Sequence, residues 1–137
     1  MDIAFLVVED EHVLRRALVR ALSAHGRAEG VGTCATARAA LRARRFDSLV
    51  VDVKLPDGVG LDLISYARQL WPSIWILVLT GSHEHQVISR IHELGARYLL
   101  KPFSPEQLKI HAEETRARRD AGDRRLSMAL DRWSRGH

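Results

Sequence analysis

Short apolar runs and helical stripes alternate along this chain. Phe5-Leu6-Val7-Val8 within 3–8, Ser48-Leu49-Val50-Val51, and the segment 74–79 are nearly unbroken apolar stretches of strand length; a shorter one, Tyr98-Leu99-Leu100, lies within 97–100. Runs of this kind, without polar alternation, fit strands buried on both faces. A weaker strand is expected over 28–34, where Gly30 and Gly32 count against it. Between the runs, apolar residues recur every three or four positions. Leu14, Leu18, Ala21 and Leu22 form one stripe of a helix over 11–24, ended by Gly26. Thr36 is the expected cap of a short helix reaching 44, with Ala37, Ala40 and Leu41 inward. A third helix is expected over 60–70, stopping ahead of Pro72, and a fourth over 84–93 with Val87, Ile88, Ile91 and Leu94 inward and Gly95 behind it. Ser104-Pro105-Glu106 opens the last helix with a cap, a first-turn proline and an acid against the helix dipole.

Five strand–helix alternations demand a parallel sheet covered by helices on both faces. With right-handed crossovers, the arrangement that fits is an α/β, doubly wound, flavodoxin-like sheet of five strands in the order 2-1-3-4-5. Residues 1–116 make one domain. From residue 117 the chain turns too polar for a core, and Leu126, Leu130 and Trp133 then recur at helical spacing. The stretch 117–137 is expected to be a basic C-terminal extension, a linker or a short helix.

The strand order gives the polar residues at the run ends their meaning. Glu9 and Asp10 follow the first strand, Asp52 the third, and Lys101 the fifth. Strands one and three are neighbours at the switch point, and the functional crevice of such sheets lies beyond the strands' carboxyl ends. Three acids and one amine then share one pocket, where the acids repel unless a divalent cation neutralises them. A magnesium site around one aspartate is the expectation. Taken singly, each residue has an ordinary reading: a helix cap or turn for the acids, a solvated strand end for Lys101.

Composition narrows the class. No apolar stretch approaches the roughly 18–20 residues of a membrane span, and the first strand begins too early for a signal peptide, so a cytoplasmic protein with no membrane partner is expected. The single cysteine, Cys34, is read as a filler near the second strand. Six arginines and three aspartates give 117–137 a charge of +3, whereas 1–116 carries 15 basic and 14 acidic groups. A near-neutral body argues against direct nucleic-acid binding by 1–116. His83, His85 and His92 have spacing that zinc accepts, but they are expected to line the solvent side of the fourth helix.

Four ordered motifs carry a resemblance: Val7-Val8-Glu9-Asp10-Glu11, Val51-Asp52-Val53-Lys54-Leu55-Pro56-Asp57-Gly58-Val59-Gly60, Leu79-Thr80-Gly81, and Tyr98-Leu99-Leu100-Lys101-Pro102-Phe103. Over about 3–116 the chain resembles a bacterial response-regulator receiver domain of two-component signalling, chemotaxis-type. The resemblance implies that Asp52 is the phosphoacceptor for a sensor histidine kinase or phosphotransfer protein, forming an aspartyl-phosphate. It implies Mg2+ held by Glu9, Asp10, Asp52 and the backbone carbonyl of Lys54, with Thr80 and Lys101 binding the phosphoryl oxygens. It further implies a cis Lys101–Pro102 bond, a switch through Thr80 and Tyr98, and tuning of dephosphorylation by Lys54 and Ser82. A moderately long-lived phosphoryl group is expected. Val59 departs from the polar residue often found there, remote from the chemistry.

By the same resemblance, the fourth helix, fifth strand and fifth helix form the output face and the candidate homodimer interface; the tail reads either as a connector to an output domain after His137 or as the end of a freestanding single-domain regulator that signals by docking. The chain is then a signalling domain with at most slow self-phosphorylation and self-dephosphorylation, not an enzyme. Two other readings stand beside it. A haloacid-dehalogenase-type phosphatase also places an aspartate after a strand, but it needs a second acid where this chain has Lys54, and a cap for which there is no room. A DNA- or protein-binding module acting through the tail has only three net charges and one aromatic to work with.

Overall fold

The computed structural model describes residues 2–81 and 83–136. Its strands are β1 (Ala4–Val8), β2 (Arg27–Val31), β3 (Ser48–Asp52), β4 (Lys54–Leu55), β5 (Gly58–Val59), β6 (Trp75–Thr80) and β7 (Arg97–Leu100). Its helices are α1 (His12–Ser23), α2 (Cys34–Ala43), α3 (Asp62–Leu70), α4 (His85–Glu93) and α5 (Pro105–Gly136). The main sheet runs β2-β1-β3-β6-β7, every pairing parallel. This is the expected order, with β4 and β5 forming a separate antiparallel pair in the loop after β3.

The apolar runs are unbroken because successive side chains serve opposite layers. Leu6, Val8, Leu49, Val51, Ile76 and Val78 pack with Ala37 and Leu41 of α2, Leu63 and Ile64 of α3, and Ile91 of α4. Phe5, Val7, Val50, Leu77 and Leu79 pack with Leu18 and Leu22 of α1 and Leu108 and Ala112 of α5. Glu11 caps α1, accepting from the Val13 and Leu14 amides. Ser104 and Gln107 exchange side-chain and backbone hydrogen bonds at the start of α5.

Local expectations shift in three places. The cap of α2 is Thr33, not Thr36; Thr36 sits at the third helical position and completes the reciprocal box. Cys34 therefore opens α2 instead of closing a strand, and β2 ends at Val31. The loop read only as turn residues contains the β4–β5 hairpin. Finally, α5 runs unbroken through residues 117–136, so the extension is a continuation of the last helix.

The stretch after residue 116 also joins the body further than its polarity suggested. The buried Arg119 side chain pairs with Asp47 at 2.7 Å, and the Asp47 carboxylate accepts from the Ala4 amide at 2.8 Å. Arg118 lies 3.8 Å over the Trp75 ring. Long arginine stems cover apolar surface while their heads find partners, which a polarity count misses. Beyond the body, Leu126, Leu130 and Trp133 are exposed.

At the sheet's amino edge, His111 of α5 is buried and meets Ser48 Oγ through Nε2 at 2.6 Å. Burial, with Arg97 adding to it, pushes this imidazole down to about 3. The folded state thus keeps His111 neutral while the unfolded chain takes up a proton below about 6.5, so stability falls as pH drops through that window. Urea unfolding from pH 7 to pH 5 should cost the wild type about 2 kcal/mol more than His111→Gln. Equal slopes for the two proteins would contradict a buried neutral imidazole.

Candidate functional site

Register brings the acids together. β1 pairs β3 with Val8 opposite Val51, so the chain leaves both strands side by side into Glu9-Asp10 and Asp52. β6 pairs β3 with Leu79 opposite Asp52, and β7 pairs β6 with Leu100 opposite Thr80. Four strands therefore deliver Glu9, Asp10, Asp52, Thr80 and Lys101 to one carboxyl edge. Glu9, Asp10 and Asp52 each offer a carboxylate oxygen within 4.8 Å of the others, with Glu9 and Asp52 buried and Asp10 exposed. Lys101 Nζ bridges two of them, 2.7 Å from Asp52 Oδ2 and 3.0 Å from Glu9 Oε1. The Lys101 amide donates to the Thr80 carbonyl at 2.8 Å, and the Lys101–Pro102 bond is cis. Thr80 is buried.

Hydrogen bonds hold the remaining oxygens. Glu9 Oε2 accepts from the Glu11 amide at 3.1 Å, and Asp52 Oδ1 from the Lys54 amide at 3.3 Å. Burial raises the Glu9 carboxyl above the usual carboxylate range; the Asp52 charge adds to this, while the Glu11 amide and Lys101 oppose it. For Lys101, burial alone would lower the ammonium, but the bonds and charges of Asp52 and Glu9 outweigh it and raise it above an ordinary lysine. Three acids face one ammonium. This hard-oxygen donor set suits a small divalent cation, which takes carboxylates together with carbonyls and waters.

The loop after β3 closes over Asp52 because Gly60 lacks a side chain: a Cβ there would fall 1.9 Å from the Asp52 carbonyl oxygen. Asp57 ties the same loop to α2, accepting from the Cys34 amide at 2.7 Å and the Ala35 amide at 3.0 Å. These two bonds hold the Asp57 carboxyl below its usual range. The sequence gives Asp57 only as a turn residue; its partners lie more than twenty positions away, where no local pattern points.

The other expected residues divide. Lys54 lies beside Asp52 through its amide, with its side chain exposed. Tyr98 is half-buried, its ring meeting His92 edge-on at 5.8 Å. Ser82 lies outside the described residues. His83, His85 and His92 are exposed, and the acid nest is the one cluster of metal-ligating type found among the described residues. Cys34 is buried, and burial, with Asp57 nearby, pushes its thiol up, which fits a filler.

Comparison with known proteins decides the family. The response regulator receiver domain matches residues 5–113. This chain belongs to that family. Receiver domains are signalling domains and not enzymes in their own right, and the phosphatase reading loses its ground. The chain is 31% identical over 134 residues to the DNA-binding transcriptional activator DevR/DosR of Mycobacterium tuberculosis, covering 95% of this chain and 62% of that one. Across the curated relatives it spans from about a fifth to three fifths of their length. The non-phosphorylated HemR receiver domain of Leptospira biflexa superposes with a TM-score of 0.75 at 32% identity, covering 82% of this chain and 93% of that one. A response regulator of Burkholderia pseudomallei, solved with a phosphorylated aspartic acid, calcium and citrate, superposes with a TM-score of 0.74 at 31% identity, covering 85% and 72%. Among the described residues, no helix of this receiver domain is long and apolar enough to cross a membrane.

Removing the ammonium leaves the acids facing one another. Lys101→Met should lose about 1–3 kcal/mol in urea unfolding at neutral pH with chelator present. Unchanged stability would mean that Nζ does not hold the two carboxylates.

Proposed function

We propose that this receiver domain accepts a phosphoryl group on Asp52 from a phosphohistidine of a sensor histidine kinase or phosphotransfer protein. The observation that carries this reading is the Asp52 carboxylate itself: buried, fixed by Lys101 and the Lys54 amide, and set among acids suited to a cation. An Asp52 oxygen attacks phosphorus, the phosphorus–nitrogen bond breaks, and its electron pair returns to the donor imidazole. Glu9, Asp10, Asp52 and the Lys54 carbonyl are the residues to hold Mg2+. When bound, the ion offsets the charge gathered on the phosphoryl oxygens. Lys101 meets those oxygens as a point charge. The phosphorylated aspartic acid and calcium of the Burkholderia relative support this reading.

Thr80 and Tyr98 are the switch. The Thr80 hydroxyl turns to the new phosphoryl group, and Tyr98, already half-buried beside α4, moves inward. The face of α4, β7 and α5 reads out the change, as a docking or homodimer surface. In a longer protein α5 continues toward an output domain, a role in keeping with DosR, a DNA-binding activator that aligns along nearly the whole chain. Lys54 and Ser82 set the lifetime of the phosphoryl group. The protein works in the cytoplasm, where such kinases present their phosphohistidines.

Acetyl phosphate with Mg2+ should add one phosphoryl mass to the wild type and none to Asp52→Asn. Modification of Asp52→Asn, or repeated turnover of a phosphate ester by the wild type, would contradict the assignment. In Lys54→Ala the phosphoryl group should decay at a changed rate; an identical decay curve would remove Lys54 from the lifetime control.

A further inference from the structure

Glu9 and Asp10 stand side by side after β1, and on the nest side the Glu9 carboxylate is met by Lys101 Nζ and the Glu11 amide. Behind the loop stands a second cation. Arg15 of α1 is half-buried and folds back along its own helix; its Nη1 donates to the Glu9 carbonyl at 2.9 Å and reaches the Asp10 carbonyl at 3.4 Å. Its Nη2 meets His12 Nδ1 at 2.9 Å, which fixes the plane of the guanidinium. One guanidinium nitrogen thus meets the backbone carbonyls of both acids, while the other is anchored on His12.

The neighbouring strand makes room for it. A Cβ at Gly30 would fall 3.0 Å from Arg15 Cγ and 2.8 Å from Val19 Cγ2, and a Cβ at Gly32 would fall 3.0 Å from Arg15 Nη1. Glycines weaken a strand, and these two are why β2 is hard to read from the sequence. Here they form the trough in which the arginine stem and head lie. Gly32 is held near the acids, a Cβ there coming 3.9 Å from Asp10 Cα, and the adjacent Val31 carbonyl accepts from the Glu9 amide at 3.0 Å.

We infer that Arg15 is a positioning residue for the cation nest: its guanidinium grips the Glu9 and Asp10 carbonyls, and Gly30 and Gly32 keep the trough open for it. The inference rests on the reading of the nest as a Mg2+ site, and it adds a residue outside the nest that sets the affinity. Arg15 touches neither Asp52 nor the phosphoryl group, so its loss raises the Mg2+ requirement and leaves the reaction at saturating Mg2+ intact.

Calorimetric titration of the full chain with Mg2+ tests this. Arg15→Gln should weaken binding about tenfold, the scale found when the residues that orient metal ligands are removed. Arg15→Lys, which keeps the charge without the second nitrogen that anchors on His12, should recover part of the loss. Gly32→Ala, with Arg15 present, should weaken binding in the same direction and add little on top of Arg15→Gln. Acetyl-phosphate labelling at saturating Mg2+ should stay within about twofold of the wild type in all three. Wild-type affinity in both Arg15→Gln and Gly32→Ala overturns the clamp and leaves the phosphoacceptor reading standing. A shifted affinity in a protein that never takes a phosphoryl group upholds the clamp and removes that reading. Absence of Mg2+ binding by the wild type overturns both.

Discussion

One ammonium between two buried carboxylates organises this molecule. Lys101 comes from the last strand of the sheet, Glu9 from the end of the first and Asp52 from the end of the third; the contact at 2.7–3.0 Å exists only when β1, β3, β6 and β7 lie in register. Buried acids without a partner are costly, so the pairing rewards the strand order and the strand order makes the pairing possible. The compensation is incomplete. Asp10 adds a third carboxylate without a second ammonium, and Glu9 is held with its proton affinity raised. The nest is therefore built short of positive charge, the condition under which a divalent cation and then a phosphoryl group change the local balance most.

That pocket sits on a scaffold whose other end is tied down differently. Ser48 opens β3 and Asp52 closes it. Ser48 bonds His111 of α5, while Asp47, just ahead of the strand, pairs with Arg119 about two turns further along the same helix. One strand thus joins the acid nest to the helix that continues past the body to Gly136. The exposed Leu126, Leu130 and Trp133 lie on that continuation.

The fold was legible because strand and helix periods differ and because both faces of the sheet are covered, leaving apolar runs that no helix stripe imitates. Placing Glu9, Asp10, Asp52 and Lys101 needed only the strand order and the rule that crevices open at carboxyl ends. What escaped the sequence depends on partners distant along the chain. Asp57 reads as a turn residue until α2 arrives at its carboxylate. Arg119 reads as a solvated tail charge until Asp47 is buried beneath it. Thr36 was a fair cap by type, but Thr33 with Thr36 three places on makes the fuller box. Gly30 and Gly32 looked like defects in a strand and are occupied by the Arg15 side chain passing over them.

The charge imbalance of the nest is the claim on which the account turns, and a titration of the Glu9 side-chain carboxyl by carbon-13 NMR reaches it most directly. With chelator present, Glu9 should release its proton above the ordinary carboxylate range, and Mg2+ should move that midpoint down by favouring the ionised form. A Glu9 that titrates at or below the ordinary value, unmoved by Mg2+, would contradict a buried acid nest awaiting a cation.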